Sequence, residues 1–271
     1  MLDTREKQGL RCGYPLLSVE NVKLGYRVNG HTNVAVGNAS FQVWPGEKVM
    51  LLGPSGCGKS TLLKAVAGFL EPEDGVISFA GRQDLRPGPD RAVVFQEFDQ
   101  LFPWRTVLEN VAYPLRATGR SRDEASEKAR RFVELTGLSH AVDRYPHQLS
   151  GGMKQRVAIA RALALEPRML LMDEPFGSLD AQTRARLQKE LNEVTRRTEV
   201  TVLFVTHSIQ EALVLGDRVV VLGHAPSEVR EVLEVTGAAG DLDSKRFAWT
   251  RRQLCNLLAE DGEEVDDAVF E

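Results

Sequence analysis

The stretch Lys48-Val-Met-Leu-Leu-Gly-Pro-Ser-Gly-Cys-Gly-Lys-Ser-Thr61 decides the fold. It opens with a short, mainly apolar run, which is the pattern of a strand buried on both faces of a sheet. A glycine-rich loop follows, and from Thr61 the residues have helical spacing until Gly68. Strand, loop and helix in this order predict a mainly parallel sheet covered by helices, an α/β fold.

The loop in this stretch has the pattern Gly-x-x-x-x-Gly-Lys-Ser. Its glycines let successive backbone N–H groups face an anion, and the helix that follows presents its positive end to the same point. Lys59 can reach the β- and γ-phosphates of a nucleotide, and the Ser60 hydroxyl can ligate Mg²⁺. The predicted phosphate-binding residues are Gly53, Pro54, Ser55, Gly56, Cys57, Gly58, Lys59, Ser60 and Thr61. Kinases, GTPases and motor proteins share this loop, so it predicts a bound nucleotide and no particular activity.

Further strands are indicated on both sides of the loop. Alternating residues that begin at Leu17 and at Ala39 predict two strands, the first of which breaks at Gly25. Short apolar runs predict buried strands at residues 92–95, 169–172, 200–205 and 218–222, and the last of these is the last clear strand.

Helices lie between these strands. Ser121 and Glu124 have the spacing of a capping box, and Gly137 suits the end of the same helix. Residues 150–165 and 181–197 predict two more helices, and the region of about 99–160 is interpreted as a helical insertion.

Two acids end one of the buried strands. Asp173 lies at the strand tip, where a carboxylate suits Mg²⁺ beside the phosphates. Glu174 is one residue further and points away from Asp173, so it can act as general base for an attacking water. The alternative is a solvated acidic pair, which the upstream phosphate loop disfavours.

Leu149-Ser-Gly-Gly152 begins a second helix whose start suits an anion. Ser150 is a favourable N-cap, and the two glycines leave the first N–H groups uncovered. Considered alone, an ordinary capped helix is an equally good interpretation.

Composition restricts the class of protein. The 271 residues carry a net charge of −4, which disfavours a broad nucleic-acid surface. Three separated cysteines indicate neither disulfides nor zinc, and a reducing compartment is expected. The polar first residues do not resemble a signal peptide, and no apolar run is long enough to cross a membrane.

The order of the motifs resembles the ATP-binding cassette (ABC) family over residues 17–225. The order is phosphate loop, Gln96, Leu-Ser-Gly-Gly, Asp-Glu, Ser178-Leu-Asp180 and His207. The resemblance implies a P-loop NTPase (RecA-like) core with an antiparallel β subdomain and an inserted α-helical subdomain at about 99–160. Residues 1–16 are then a flexible leader and residues 226–271 a C-terminal extension with an acidic tail.

The resemblance also implies roles for single residues. In this family two cassettes bind ATP and Mg²⁺ head to tail, so Ser150, Gly151 and Gly152 would touch the γ-phosphate held by the other subunit. Glu174, His207 and Gln96 would be catalytic, with Ser60, Gln96 and Asp173 at the metal. Asp180 would couple the two sites. Tyr26 would stack on adenine, with core packing as the alternative.

Two segments resemble those of the nitrate, sulfonate and taurine importer cassettes, namely Phe102-Pro-Trp104 and Phe176-Gly-Ser-Leu-Asp180. This predicts a homodimer at the cytoplasmic face of the membrane with two permease subunits and a periplasmic or lipoprotein solute-binding protein, and no nucleic acid. Trp104 could instead cover the helical subdomain. A soluble cassette protein acting on DNA or ribosomes lacks support, because sustained heptads and tandem cassettes are absent from this sequence. A P-loop kinase or GTPase would have no use for Leu-Ser-Gly-Gly.

Overall fold

The structure is a computed structural model that describes residues 13–28, 31–96, 100–177, 179–235 and 245–259. The strands within these ranges are β1 (Leu17–Val28), β2 (His31–Val43), β3 (Lys48–Leu52), β4 (Asp74–Phe79), β5 (Arg91–Val94), β6 (Met169–Asp173), β7 (Thr201–Thr206), β8 (Arg218–Leu222) and β9 (Ser227–Glu234). The helices are α1 (Lys59–Val66), α2 (Val107–Ala117), α3 (Arg122–Leu135), α4 (Gly151–Leu163), α5 (Ala181–Thr198), α6 (Ile209–Leu215) and α7 (Lys245–Ala259).

The nine described strands form one sheet in the order β4-β1-β2-β9-β8-β3-β7-β6-β5. The strands from β8 to β5 are parallel, whereas β4, β1 and β2 pair antiparallel at the other edge. β9 lies between the two parts, antiparallel to β8 and parallel to β2. The predicted α/β fold with an antiparallel subdomain is confirmed.

Both faces of the parallel strands are buried, which explains why their sequences are continuously apolar. Met50 and Leu52 of β3 face the core that the helical insertion covers. Val49 and Leu51 face the opposite core, where α1 and the antiparallel strands pack. Because neighbouring side chains of a strand point to opposite faces, one five-residue strand stabilises both cores.

The helical insertion contains α2, α3 and α4. The predicted capping box of α3 is present: the Ser121 Oγ accepts from the Glu124 N–H, and the Glu124 carboxylate accepts from the Ser121 N–H. Gly137 follows this helix with φ of 69°, the left-handed conformation that glycine adopts most easily. Ala125, Ala129 and Phe132 then bury the inner face of α3.

Some predicted strands differ from those in the structure. β8 is not the last strand, because β9 follows it. β1 does not break at Gly25, because it continues to Val28 through shifts in register. The sequence also gave no prediction of β4.

The ends of the chain lie partly outside the described residues. Most of the predicted leader, residues 1–12, and the acidic tail from residue 260 are among them. Leu16, the last residue of that leader, is buried, and its N–H donates to the Val43 carbonyl. α7 lies within the predicted C-terminal extension: Phe247 and Leu254 are buried, whereas Trp249 faces solvent. Within the described ranges, no helix is both long and apolar enough to span a bilayer.

Candidate functional site

The candidate site lies where the parallel strands β3, β6 and β7 end. Because parallel strands present their carboxyl ends at one edge of a sheet, the loops after them come together. The glycine-rich loop follows β3, Glu174 follows β6, and His207 follows β7. Three segments far apart in sequence therefore contribute to one site.

Two glycines of the loop leave no space for a side chain. A Cβ atom at Gly53 would lie 2.8 Å from the Leu222 carbonyl oxygen. At Gly58, which precedes α1 with φ of 96°, a Cβ atom would lie 2.9 Å from the Val36 side chain. The loop can therefore pack this closely against β2 and β8 only with glycine at both positions.

The Lys59 side chain is buried beneath the loop. Its ammonium group donates to the carbonyl oxygens of Gly53, at 2.8 Å, and Pro54, at 2.7 Å. These acceptors hold the charge at the first helical turn of α1, where an anion is also stabilised by the helix dipole. Cys57 is a buried filler, and burial raises the pKa of its thiol, which makes it less reactive.

A hydrogen bond joins the side chains of Ser60 and Asp173. The Ser60 hydroxyl donates to Asp173 Oδ1 at 2.7 Å, which joins the start of α1 to the tip of β6. Burial raises the pKa of the Asp173 carboxyl, a shift that the Ser60 hydrogen bond opposes. A hydroxyl and a carboxylate side by side form a pair of oxygen donors of the kind that Mg²⁺ prefers.

Glu174 and His207 form a second hydrogen-bonded pair. His207 Nδ1 lies 3.0 Å from Glu174 Oε2. This hydrogen bond lowers the pKa of Glu174 and raises that of His207. Glu174 is therefore ionised at neutral pH and can accept a proton.

The backbone at Glu174 is strained. Its φ of 41° lies in the left-handed region, which a non-glycine residue adopts at a cost of about 1–3 kcal/mol. The Glu174 N–H still donates to the Val205 carbonyl oxygen, and the Glu174 carbonyl accepts from the Gly177 N–H. Strain of this kind, held by hydrogen bonds on both sides, is found most often at functional sites.

Gln96 lies beside this pair. A Cβ atom built at Gly177 would be 3.2 Å from Gln96 Nε2 and 3.9 Å from Glu174 Oε2. The Gln96 amide and the Glu174 carboxylate therefore both border Gly177, although β5, which precedes Gln96, is the edge strand of the sheet.

A cavity of about 400 Å³ opens over the loop. Lys59, Ser60, Thr61, Glu174 and Tyr26 line it. The Tyr26 hydroxyl is hydrogen-bonded to Thr61 Oγ1 at 2.7 Å. Tyr26 is 40% exposed, so core packing does not account for it.

Other lining residues were missed by the sequence analysis. Asn33, Val34 and Ala35 of β2, with Ala225, form the wall beside the loop. They lie on an ordinary strand and in the turn between β8 and β9, and no motif singles them out.

The Ser150 helix start is not part of this cavity. Ser150 is exposed, and its Oγ caps α4 by accepting from the Met153 N–H at 3.3 Å. A Cβ atom at Gly152 would lie 2.9 Å from Thr183 of α5, so glycine also allows these helices to approach. Gly151, like Ser150 and Gly152, is absent from the cavity lining among the described residues.

Asp180 is also a helix cap. Its Oδ1 accepts from the Thr183 N–H at 2.9 Å, at the start of α5. Ser178, in the same loop, lies outside the described residues.

A glycine loop between a buried strand and a helix, a lysine under the loop and an acid at the neighbouring strand tip together define a P-loop nucleoside triphosphatase. The family model described as ABC transporter matches residues 36–177, more than half of the chain. The chain belongs to this family, as the order of its motifs predicted.

Several curated relatives resemble the chain along most of its length. The uncharacterized ABC transporter ATP-binding protein MJ0412 of Methanocaldococcus jannaschii is 44% identical, over 90% of this chain and 92% of its own. The taurine import ATP-binding protein TauB of Rhizobium johnstonii is 42% identical, over 90% and 96%. The nitrate import ATP-binding protein NrtC of Synechococcus elongatus is 48% identical over 76% of this chain, which spans only 32% of NrtC.

A solved structure shares the fold. The dimeric, post-hydrolysis state of the ATP-binding cassette MJ0796, bound to ADP and phosphate, superposes with a TM-score of 0.71. It is 32% identical over 82% of this chain and 99% of the other. The chain is therefore an ATP-binding subunit and an ATPase of the ABC transporter family, and the predicted P-loop NTPase fold is confirmed.

Proposed function

We propose that this chain drives an importer of a small anion by binding and hydrolysing ATP at the cavity above the glycine-rich loop. One observation carries the proposal: two hydrogen-bonded pairs lie at the edge of the same cavity. Ser60 is hydrogen-bonded to Asp173 at 2.7 Å, and His207 is hydrogen-bonded to Glu174 at 3.0 Å. A phosphate cradle, an oxygen donor pair for a cation and an ionised base are thus assembled in one place. These are the parts that phosphoryl transfer to water requires.

The loop is proposed to hold the phosphates of ATP. Its backbone N–H groups and the start of α1 would bind the negative charge. The Lys59 ammonium would exchange the carbonyl oxygens of Gly53 and Pro54 for phosphate oxygens, which are stronger acceptors. Tyr26, exposed at the cavity and fixed through Thr61, would support the adenine ring.

Ser60 and Asp173 fit Mg²⁺. The ion takes one or two protein oxygens and completes its shell with water and phosphate oxygens. When bound, Mg²⁺ neutralises charge on the phosphates. Gln96 would connect this position with the attacking water, since its amide and the Glu174 carboxylate both border Gly177.

Glu174 is proposed as the general base. Its carboxylate would accept a proton from the attacking water at Oε1 or Oε2, because the His207 hydrogen bond keeps it ionised. His207 would orient this carboxylate and contact the γ-phosphate.

A second copy of the chain is proposed to complete each site. Ser150, Gly151 and Gly152 begin a capped helix whose N-terminal end is outside the chain's own cavity. In a head-to-tail homodimer they would bind the γ-phosphate held by the other subunit, and Asp180 would lie near the boundary between the two sites. The dimeric state of the MJ0796 cassette supports this arrangement.

Membrane permeases are proposed as partners through an aromatic patch formed by Phe102, Trp104 and Tyr113. The ring of Phe102 lies 5.6 Å from that of Trp104 and 4.6 Å from that of Tyr113, and Arg105 lies 4.8 Å above Tyr113. Trp104 is 69% exposed, so it does not simply cover the helical subdomain. An exposed aromatic cluster with an arginine is typical of a protein interface.

The remaining parts of the proposal follow from the relatives. TauB and NrtC are named for import of taurine and nitrate. We propose a related anion as the solute, such as nitrate, a sulfonate or taurine. Two permease subunits, a periplasmic or lipoprotein solute-binding protein and a position at the cytoplasmic face of the membrane complete the assembly.

Gentle solubilisation of membranes and purification through a tag on this chain test the assembly. A multi-span permease should co-purify, and Trp104→Ala should reduce its yield while ATPase activity of the isolated chain is kept. Trp249→Ala is the matched control, because Trp249 is also exposed but lies on α7. Recovery of ribosomes or nucleic acid in place of a permease would contradict the importer proposal.

A further inference from the structure

Glu211 of α6 is a buried carboxylate that the proposed mechanism does not use. The residue is 6% exposed. A buried carboxylate is unfavourable unless hydrogen bonds compensate for the lost water. Its partners therefore indicate why the fold retains an acid at this position.

Each oxygen of Glu211 accepts a side-chain hydrogen bond. The Thr206 hydroxyl donates to Oε2 at 2.7 Å, and Gln188 Nε2 donates to Oε1 at 3.3 Å. Arg184 Nε lies 4.0 Å from Oε1. Thr206 ends β7, whereas Gln188 and Arg184 belong to α5, so the carboxylate joins two elements that are separate in sequence.

The same network fixes both neighbours of His207. Thr206 Oγ1, which donates to Glu211, also accepts from the Ser208 N–H at 2.9 Å. The Ser208 Oγ accepts from the Glu211 N–H at 3.3 Å. His207 is thus held between two residues that Glu211 contacts through its side chain and its backbone. Its own side chain is more than half exposed and gains little from packing.

The network also extends to the loop before α5. Arg184 Nη2 donates to the Leu179 carbonyl oxygen at 3.0 Å, one residue before Asp180. Glu211 therefore connects the loop that carries Asp180 with the turn that carries His207. Both segments border the proposed catalytic site.

We propose that Glu211 is a positioning residue for hydrolysis: it holds the turn that sets His207 against Glu174 and links this turn to the loop at Asp180. The inference rests on the proposed function, in which His207 orients the base. Glu211 itself touches neither nucleotide nor water in this role. Its loss should therefore impair turnover far more than ATP binding.

A double-mutant cycle between Glu211 and His207 tests the proposal. Glu211→Ala, His207→Ala and the double variant are compared for kcat and KM with ATP. Glu211→Ala should lower kcat about tenfold, because a donor set built around the carboxylate is left unpaired, with KM within about twofold. The double variant should be no slower than His207→Ala within about twofold, since Glu211 acts through His207.

Thr195→Val is the control for general destabilisation. Thr195 is also buried, but among the described residues its hydroxyl donates to carbonyls of its own helix, those of Leu191 and Asn192. It should lower the melting temperature and leave kcat unchanged. If Glu211→Ala does not fold, Thr206→Val enters the same cycle, because it removes the hydroxyl that both donates to Glu211 and accepts from the Ser208 N–H, and so breaks the network between Glu211 and the His207 turn.

The outcomes separate the inference from the proposed function. If the losses in the double variant multiply, or if Glu211→Ala raises KM alone, Glu211 does not position His207. If His207→Ala hydrolyses ATP at the wild-type rate, the proposed role of His207 is itself wrong, and the positioning role of Glu211 falls with it.

Discussion

Two helices of this molecule begin with glycines that leave N–H groups open to an anion, and their surroundings differ. The start of α1 lies in a cavity together with Lys59, Tyr26 and Glu174. The start of α4 is capped by Ser150, which is exposed. The start of α1 therefore has a cation and acidic groups of its own chain around it. The start of α4 lies outside that cavity.

The difference shows that a helix N-terminus alone does not make a binding site. At α1, the fold places three strand ends beside the helix, and each contributes a side chain with a defined bond. At α4, the helix start is well formed but lies outside that cavity, and in the proposed homodimer a second copy supplies the nucleotide. Under this proposal the two helix starts are two halves of one site, divided between subunits.

The largest effect is expected from Glu174→Gln, which tests the half of the site around the start of α1. The variant should lower hydrolysis by at least about a hundredfold, because an amide cannot accept the proton of water. ATP binding should remain, and ATP should trap a dimer that gel filtration detects. Glu199→Gln is a matched control, since Glu199 also has a positive φ but is exposed far from the site. Wild-type turnover in Glu174→Gln would remove Glu174 from the role of base.

A mixing experiment tests whether the two halves come from different chains. Ser150→Arg and Glu174→Gln should each be inactive alone, because every site of either homodimer contains the substitution. Mixed before ATP is added, they should recover up to about a quarter of wild-type activity, since about half of the dimers then contain one chain of each variant and carry one intact site. Activity that stays at the level of the separate variants would show that Ser150 does not act across the dimer.

A smaller effect is expected at Tyr26, which lines the cavity at the start of α1. Tyr26→Phe keeps the ring and removes the hydroxyl bonded to Thr61, so KM for ATP should rise about two- to threefold. Tyr26→Ala should raise it about tenfold or more, because the ring surface is lost as well. Equal KM values for both variants would mean that the ring does not support the nucleotide. Tyr145→Phe, at an exposed tyrosine outside the cavity, should leave KM unchanged.

The smallest effect concerns the pH dependence of stability. The raised pKa of His207 stabilises the fold fully below about pH 6.5 and less as pH rises through the folded-state value. The lowered pKa of Glu174 stabilises it above about pH 4.5, and this is lost as pH falls. Between these limits, His207→Gln should melt about one to two degrees below wild type, a difference that shrinks toward pH 9. A difference independent of pH would contradict the ion pair.

Much of the first half could be predicted from the sequence, because short motifs encode it. The glycine loop fixes its own backbone, and Asp173 ends a strand that has to lie near β3. The class of side chain at each strand tip then indicates the chemistry. Glu211 illustrates what could not be predicted: its function depends on Gln188 and Thr206, whose positions relative to α6 follow only from the packed fold.

β4 and β9 could not be predicted for related reasons. β9 alternates weakly and is largely exposed, so its sequence has no buried face to indicate a strand. β4 begins with Asp74-Gly75, which is typical of a turn. β4 pairs with the distant β1, and β9 pairs with the distant β2 as well as with its sequence neighbour β8. A local pattern contains no information about the distant partners.

The place of β9 has a consequence for how the protein is made. Val36 of β2 pairs with Ser227 of β9, and β9 alone connects β2 with β8. During synthesis, the first two strands leave the ribosome long before the strand that joins them to the parallel core exists. Contacts of such long sequence separation slow folding. The sheet therefore cannot close until β9, the last described strand, has been synthesised. During that interval the exposed strand edges could bind a chaperone.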